Sequence, residues 1–419
     1  MKQLRKLFGG DLRQFGMLFT LVALIAFFQI LTNGLVLTPT NLMNLFNGNS
    51  YILILSIGMV LVIIAGHIDL SVGSVAALVG IIVAIAMRDW HLPWYAAILL
   101  GILIGALIGV WQGFWMAVVG IPGFIVTLAG MLLFRGANQF VGKSDTVPVP
   151  KDFQFIGAGY LPEIGPDTGY NNLTVLLGLV AIALLSWGQM RSRAKLAKIN
   201  AEVPPMWVTI TRIVGLALVL LYVTYLFATG RPGTSFPVPG LILVALVILY
   251  TFIADRTVIG RHIYAVGGNR NAAELSGVRS RRVYFLVMMN MAVLSALAGM
   301  IFVARSTASG PFDGVGWELD AIAAVFIGGA AVSGGVGTVV GSMIGGLIMA
   351  VLNNGLQLMG VGADATQMIK GMVLLLAVAV DVINKTLGRP SLIGYLTRNR
   401  SSQPVSVTEP GTPSDAATG

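Results

Sequence analysis

The chain contains no cysteine. That excludes disulfides, thiolate metal sites and a cysteine nucleophile. It does not decide the compartment, because a bilayer can supply the stability that disulfides supply elsewhere. Histidine is nearly as scarce. His67, His91 and His262 are the only three, far apart in sequence, and they suggest no metal or catalytic cluster. Charge is the third shortage. Only 10% of the 419 residues are charged, where an ordinary soluble domain carries about 25%. Apolar residues make up 56%, and the mean hydropathy is +0.86. A soluble enzyme, a disordered chain and a nucleic-acid binder are all excluded by this balance. What remains is an all-α polytopic integral membrane protein.

Apolar runs long enough to cross about 30 Å of hydrocarbon recur along the chain. Twelve segments are expected: 16–37, 51–65, 70–87, 94–118, 124–141, 172–189, 208–228, 238–254, 283–305, 321–332, 337–359 and 366–384. The second is short, and 321–332 reads as a half-helix, so two or three are expected to be broken or re-entrant. No small-residue cleavage site follows the basic residues 1–15, which points to a signal anchor. Residues 142–170 read as a loop, and 385–419 as a disordered cytoplasmic tail. An even count puts both termini on one side. Of the 26 Lys and Arg, nineteen fall in 1–15, 190–212, 255–282 and the tail, against four in the opposite loops. This is a positive-inside pattern with cytoplasmic termini. The net charge of +9 is therefore an orientation signal, with no nucleic-acid partner implied.

Glycine supplies the clearest helical pattern. Gly101, Gly105, Gly109 and Gly113 form a seam on one helix face, where a neighbouring backbone can approach. Gly337, Gly341 and Gly345 repeat the spacing. The two ends of the chain also echo each other. Ser71-Val72-Gly73-Ser74-Val75 parallels Gly335-Val336-Gly337-Thr338-Val339, and Gln112-Gly113 parallels Asn354-Gly355. Internal repeats with interrupted helices are a transporter signature.

Few residues can carry chemistry. Asp69 sits between two apolar segments, where a carboxylate facing lipid is costly. Three readings are open: an N-cap for the next helix helped by Ser71 or Ser74, a gate on a transport path, or an ion-coupling acid. Gln112, Asn353, Asn354 and Gln357 are neutral amides suited either to sugar hydroxyls or to bonds between helices. Trp111 and Trp115 could cover an apolar sugar face. Arg135, Arg305 and Lys370 are expected to snorkel to the interface, and Asp381 to meet water or a basic neighbour. Gly142-Lys143-Ser144 lacks the earlier glycine of a phosphate loop, since that position is Ala137. Residues 269–277 read as a short helix started by Asn269 or Asn271 and stopped by Gly277. It could dock into a partner's groove or lie on the membrane.

Two long motifs carry a family resemblance. Gly66-His67-Ile68-Asp69-Leu70-Ser71-Val72-Gly73-Ser74 resembles the G-x-I-D-L-S-V-G-S motif of ABC sugar permeases, the ribose, arabinose and xylose group. Thr257-Val258-Ile259-Gly260-Arg261-His262-Ile263-Tyr264-Ala265-Val266-Gly267-Gly268-Asn269, followed by Ala272-Ala273-Glu274-Leu275-Ser276-Gly277-Val278, resembles that group's cytoplasmic coupling segment. Residues 121–131 and 319–329 add shorter matches. The extra spans around 172–228 look like the xylose branch. His67 stands where many members have Gly or Glu, and Gly123 replaces a common Ser.

The resemblance implies a permease domain over 16–384, containing a coupling loop at 255–282. It implies a homodimeric pore in the cytoplasmic (inner) membrane, surrounded by lipid, seated on an ATPase pair and fed by an extracytoplasmic sugar-binding protein. ATP and Mg would be used by the ATPase, with no cofactor, metal or catalytic residue on this chain. Gly268, Asn269, Asn271, Ala272, Ala273, Glu274, Leu275, Ser276 and Gly277 would contact that ATPase. Asp69, Ser71, Ser74, Trp111, Gln112, Asn353, Asn354 and Gln357 would line the path or gate. The competing readings are an ion-coupled secondary transporter, with Asp69 as the loading acid, and a polytopic membrane enzyme. The enzyme would need clustered acids, histidines or an activated nucleophile, and none can be assembled.

Overall fold

The computed structural model describes residues 12–198, 203, 205–229 and 235–386. Most of the basic N-terminus and of the 385–419 tail lies outside these residues, as does the Asp381 side chain. The described chain runs through α1 (Leu12–Leu31), α2 (Pro39–Ile64), α3 (Val72–Arg88), α4 (Trp94–Phe114) and α5 (Gly123–Val141). After β1 (Val147–Pro148) come α6 (Lys151–Ala158), α7 (Asn172–Lys198), α8 (Met206–Ala228), α9 (Val238–Arg256), α10 (Val258–Gly268) and α11 (Arg270–Leu275). Then follow α12 (Ser280–Ser306), β2 (Ala308–Ser309), α13 (Trp317–Ile327), α14 (Val339–Leu358) and α15 (Ala363–Thr386). Eight helices among the described residues are long and apolar enough to cross a membrane: α2, α4, α5, α7, α8, α9, α12 and α14. Apolar helices of intermediate length cover Gly16–Leu31 and α3.

Proline sets several helix starts. Pro39 opens α2, and Pro93, Pro122, Pro205 and Pro237 immediately precede α4, α5, α8 and α9. Its fixed φ suits the first turn, where an N–H would have no helical acceptor. The centre of the bundle is α2 and α12, with α14, 78% buried, beside them. The apolar windows of α2 and α12 are 89% and 67% buried, against 6% for α7 and 11% for α8. The last two pack chiefly on each other, at the periphery.

The glycine seam of α4 faces α12. A Cβ on Gly101 would stand 2.5 Å from the Met300 sulfur, one on Gly105 2.6 Å from the Ala296 Cβ, and one on Gly109 2.5 Å from the Met289 Cα. Gly113 meets the Phe285 ring. The late seam differs from the sequence expectation. Gly337 precedes α14 instead of forming its first step, while Gly341 and Gly345 press against the backbone of Gly328 and Ala324 at the end of α13.

Three further departures have physical reasons. The short segment expected at 51–65 is the second half of a 26-residue helix. Its asparagine-rich first half is helical because those amides find partners: Asn41 pairs with Asn354, Asn47 donates to the Tyr160 hydroxyl, and Asn49 donates to the Leu45 carbonyl. The expected loop at 142–170 contains α6, held by the fully buried Phe153 and by Gly157 packed on the α12 backbone. It also contains β1, paired antiparallel with β2 through Val147 and Ser309. Finally, α13 begins at Trp317 and ends at Ile327, four residues earlier at its start than expected, which brings Glu318 and Asp320 inside the helix.

Candidate functional site

Two interruptions organise the site. At the first, α2 stops in a Schellman turn. Gly66 is left-handed at φ +86°, its N–H donates to the Ile63 carbonyl, and the His67 N–H donates to Val62. At the second, α13 stops in the same way. Gly329, also at φ +86°, donates to Phe326, and Ala330 donates to Val325. The loop beyond the second stop reaches the end of α2, for the Gly335 N–H donates to the Ile64 carbonyl at 2.8 Å.

Beyond the first stop, Asp69 is buried. Its Oδ1 accepts from the Ser71 N–H at 2.8 Å and from the Ser71 hydroxyl at 2.6 Å. Asp69 therefore closes an Asx turn ahead of α3 and does not cap the N2 or N3 amide of that helix. Burial pushes its carboxyl up to about 6, opposed by the two Ser71 bonds. The fully buried Gln112 of α4 donates to the same Ser71 hydroxyl, and its own Oε1 has no partner. Three residues further on, α4 widens into a π-turn at Trp115–Val119 before the left-handed Gly120. Ser74 is buried with its hydroxyl unpartnered.

Of the amides expected along the path, Gln112 bonds Ser71, and Asn354 bonds across helices. Asn354 and Asn41 exchange two bonds, at 2.8 and 2.9 Å, and so tie α14 to α2. Gln357 is exposed, and the buried Asn353 Oδ1 is unpartnered. Trp111 lies on the outside of the bundle, edge-on to Phe134 and Trp115.

Two residues assigned to the interface are instead paired. Lys370 Nζ lies 3.0 Å from Asp320 Oδ2, and Arg135 lies 3.7 Å from Glu318. The sequence reading passed over both acids. Their signal was present, since Trp317-Glu318-Leu319-Asp320 places two carboxylates in the first turn of an otherwise apolar helix.

The segment 255–282 forms α10, α11 and a return to α12. Thr257 caps α10 by accepting from the Gly260 N–H, and Asn269 caps α11 by accepting from the Ala272 N–H. Gly277, left-handed at φ +86°, ends α11. Glu274 accepts from Ser280 and from Arg270, and both bonds hold its carboxyl below the usual value. Ala273 is buried and Leu275 is 91% exposed. The segment also reaches both interruptions. Gly267 lies against the Ile64 carbonyl with no room for a Cβ, and the Tyr264 hydroxyl donates to Gly337 at 2.8 Å. The Arg270 guanidinium lies over the Tyr284 ring, which meets the His67 ring edge-on at 4.4 Å. Burial, with Arg270 adding to it, pushes His67 down to about 4.

The protein-family model for the permease component of branched-chain amino acid transport systems matches residues 41–378. The chain belongs to that family. It is 40% identical over 381 residues to the xylose transport system permease protein of Haemophilus influenzae, covering 91% of this chain and 99% of the relative. It is 38% identical to the xylose permease protein of Escherichia coli strain K12, covering 90% and 93%. The ribose import permease protein of the same strain is 32% identical, with 87% and 92% covered. No solved structure matches the chain significantly. The chain is thus a multi-pass permease related to the sugar permeases that its motifs resemble.

Proposed function

We propose that the chain is the membrane subunit of an ATP-driven importer for a monosaccharide, xylose or a related aldose. Two copies form the pore in the cytoplasmic membrane, with both termini on the cytoplasmic side and twelve membrane segments, some incomplete. An extracytoplasmic binding protein delivers the sugar. An ATPase pair binds ATP and Mg on the other face, and this chain binds neither. The observation that carries the reading is the placement of α11. It is a capped helix that leaves Leu275 almost wholly exposed, on a segment in contact with both helix interruptions. Sugar permeases related over nine-tenths of the chain support the substrate class.

The mechanism follows from those contacts. A partner that closes under the membrane pushes on α10 and α11. The push passes through Gly267 to the end of α2, and through Tyr264 to the start of α14. These are the places where the helices are already broken, so they can re-angle without losing a turn of helical bonds. The π-turn in α4 and the glycine seam against α12 add further places where backbones can shift.

Purification of the tagged chain in mild detergent from its own cells tests the reading. Recovery of an ATPase chain, and of ATP-dependent aldose uptake after reconstitution, is expected. Uptake that needs a proton or sodium gradient and no ATPase would instead establish the ion-coupled alternative.

A further inference from the structure

We infer that the cavity around Glu318 and Asp320 is the point inside this subunit where the sugar is held in transit. The inference rests on the aldose-import reading and assigns its site. The cavity measures about 400 Å³ and is lined by α5, α13, α14 and α15, with Arg135, Glu318, Asp320, Gln367 and Lys370 as its polar groups. That size lies in the range of about 300–1,000 Å³ typical of small-molecule sites.

The polar groups match a neutral polyol. Two carboxylates and two cations pair off, so the wall carries no net charge and discriminates against ions. The pairs leave hydrogen-bonding capacity unspent. Glu318 is 92% buried in its side chain; its Oε2 packs against Gly73 of α3 without a hydrogen bond, and Arg135 Nη2 makes the 3.7 Å ion pair with Glu318 Oε1 but no hydrogen bond. Lys370 has three donors, and Asp320 Oδ2 accepts from it. Adjacent acceptor and donor pairs of this kind suit the alternating hydroxyls of an aldose. Val315, Ala323, Met349 and Leu374 supply an apolar floor for its C–H face, with no aromatic ring to stack on it. Such a site holds sugar weakly, as a transit point must if the sugar is to leave.

The location also fits. Arg135 lies six residues before the end of α5, and Lys370 seven after the start of α15, about 9 and 10.5 Å along their helices at about 1.5 Å per residue. Ionised groups at that depth are costly unless they serve a path or a pair. The acids occupy the first turn of α13, the helix that ends at the second interruption. Movement of that end therefore moves the cavity wall.

The cysteine-free chain allows a direct test. Gln367→Cys places one thiol on the exposed rim, one turn from Lys370. The variant is assembled with its ATPase and binding protein in proteoliposomes, and alkylation is timed with and without free D-xylose. Xylose is expected to slow labelling. In Glu318→Gln, half-protection is expected to need about tenfold more sugar, the worth of one charge-assisted hydrogen bond. Uptake should fall in that variant while loaded binding protein still stimulates ATP hydrolysis. A reciprocal Asp320→Lys, Lys370→Asp exchange keeps the ion pair but reverses its donors, and should not restore uptake. Active uptake by the Gln367→Cys variant with an unprotected thiol overturns the site. So does full recovery in the exchange variant, which would make the pair structural only. A wild-type assembly that moves no aldose sinks the import reading itself, and is told apart by that control.

Discussion

The Asp69 carboxylate is enclosed with Ser71 as its hydrogen-bond partner. Burial raises its carboxyl to about 6, so folding favours the neutral acid relative to the unfolded chain. The sign follows directly. The group's contribution to stability is full below the ordinary carboxylate value, about pH 4, and is lost as pH rises through about 6. The loss is of the order of 3 kcal/mol. Unfolding of the wild type and Asp69→Asn, followed in detergent from pH 4 to 8, should show a stability difference that changes between about pH 4 and 6 and is flat above. A constant difference would show that the charge is not confined as described. Asp69→Asn should also retain substantial ATP-driven uptake, because the Asx turn can be rebuilt with an amide oxygen. The sequence suggested a local polar role for Asp69 at the start of α3, but as an N-cap and not as the Asx turn it makes. The Ser71–Gln112 bond was not readable, because its partners are 41 residues apart and no local pattern joins them. The Lys370–Asp320 pair was hidden for the same reason, across 50 residues. Each cation alone looked like a side chain reaching for the interface.

Helices that repeat a simple spacing were legible, and those held by distant contacts were not. The four-residue glycine period of α4 marked a close-packed face, and the face meets α12. Gly109→Val should place a branched side chain against the Met289 backbone, which has no flexible end to move. A loss of about 1–3 kcal/mol is expected, read as a lower unfolding temperature in detergent. Gly188→Val, where nothing lies within 4 Å of a Cβ, should leave it unchanged. The capped α11 was legible too, since Asn269 and Gly277 are local signals. The orientation of its residues was not. Ala273 faces inward, so Ala273→Arg would disturb the fold as well as any docking. Leu275→Asp is the cleaner variant. It should insert and unfold like the wild type, yet lose most ATPase recovery in pull-down. The extent of α2 was obscured by its asparagines, whose partners lie on α14 and near α6. Polar residues end a helix in sequence reasoning because their partners cannot be seen there.

For the molecule as a whole, composition and the distribution of basic residues carried most of the information. Composition indicates a membrane protein, and the basic residues are the ground for the proposed direction of insertion. Single cysteines test that direction without background labelling. Ser276→Cys should react with a membrane-impermeant reagent only from the cytoplasmic side, and Asp167→Cys only from outside. The reverse pattern would invert the topology and remove α11 from reach of any ATPase. Motif matches supplied the family, because they recur in order along most of the chain. The number of complete crossings was less accessible. A helix such as α13 is apolar but only 11 residues long, and hydropathy alone cannot distinguish a half-crossing from a full one.

The carbonyl of Ile64 receives the Gly335 N–H and lies directly beneath Gly267. Three distant stretches of sequence therefore meet on one peptide group, and none of them contributes a side chain to the meeting. In the proposed importer, a junction built from main chain alone would work as an axle. It would transmit displacement whatever cargo the surrounding side chains have been adapted to carry. The cargo-facing residues could then be exchanged without redesigning the drive, provided that nothing larger than hydrogen is placed at Gly267.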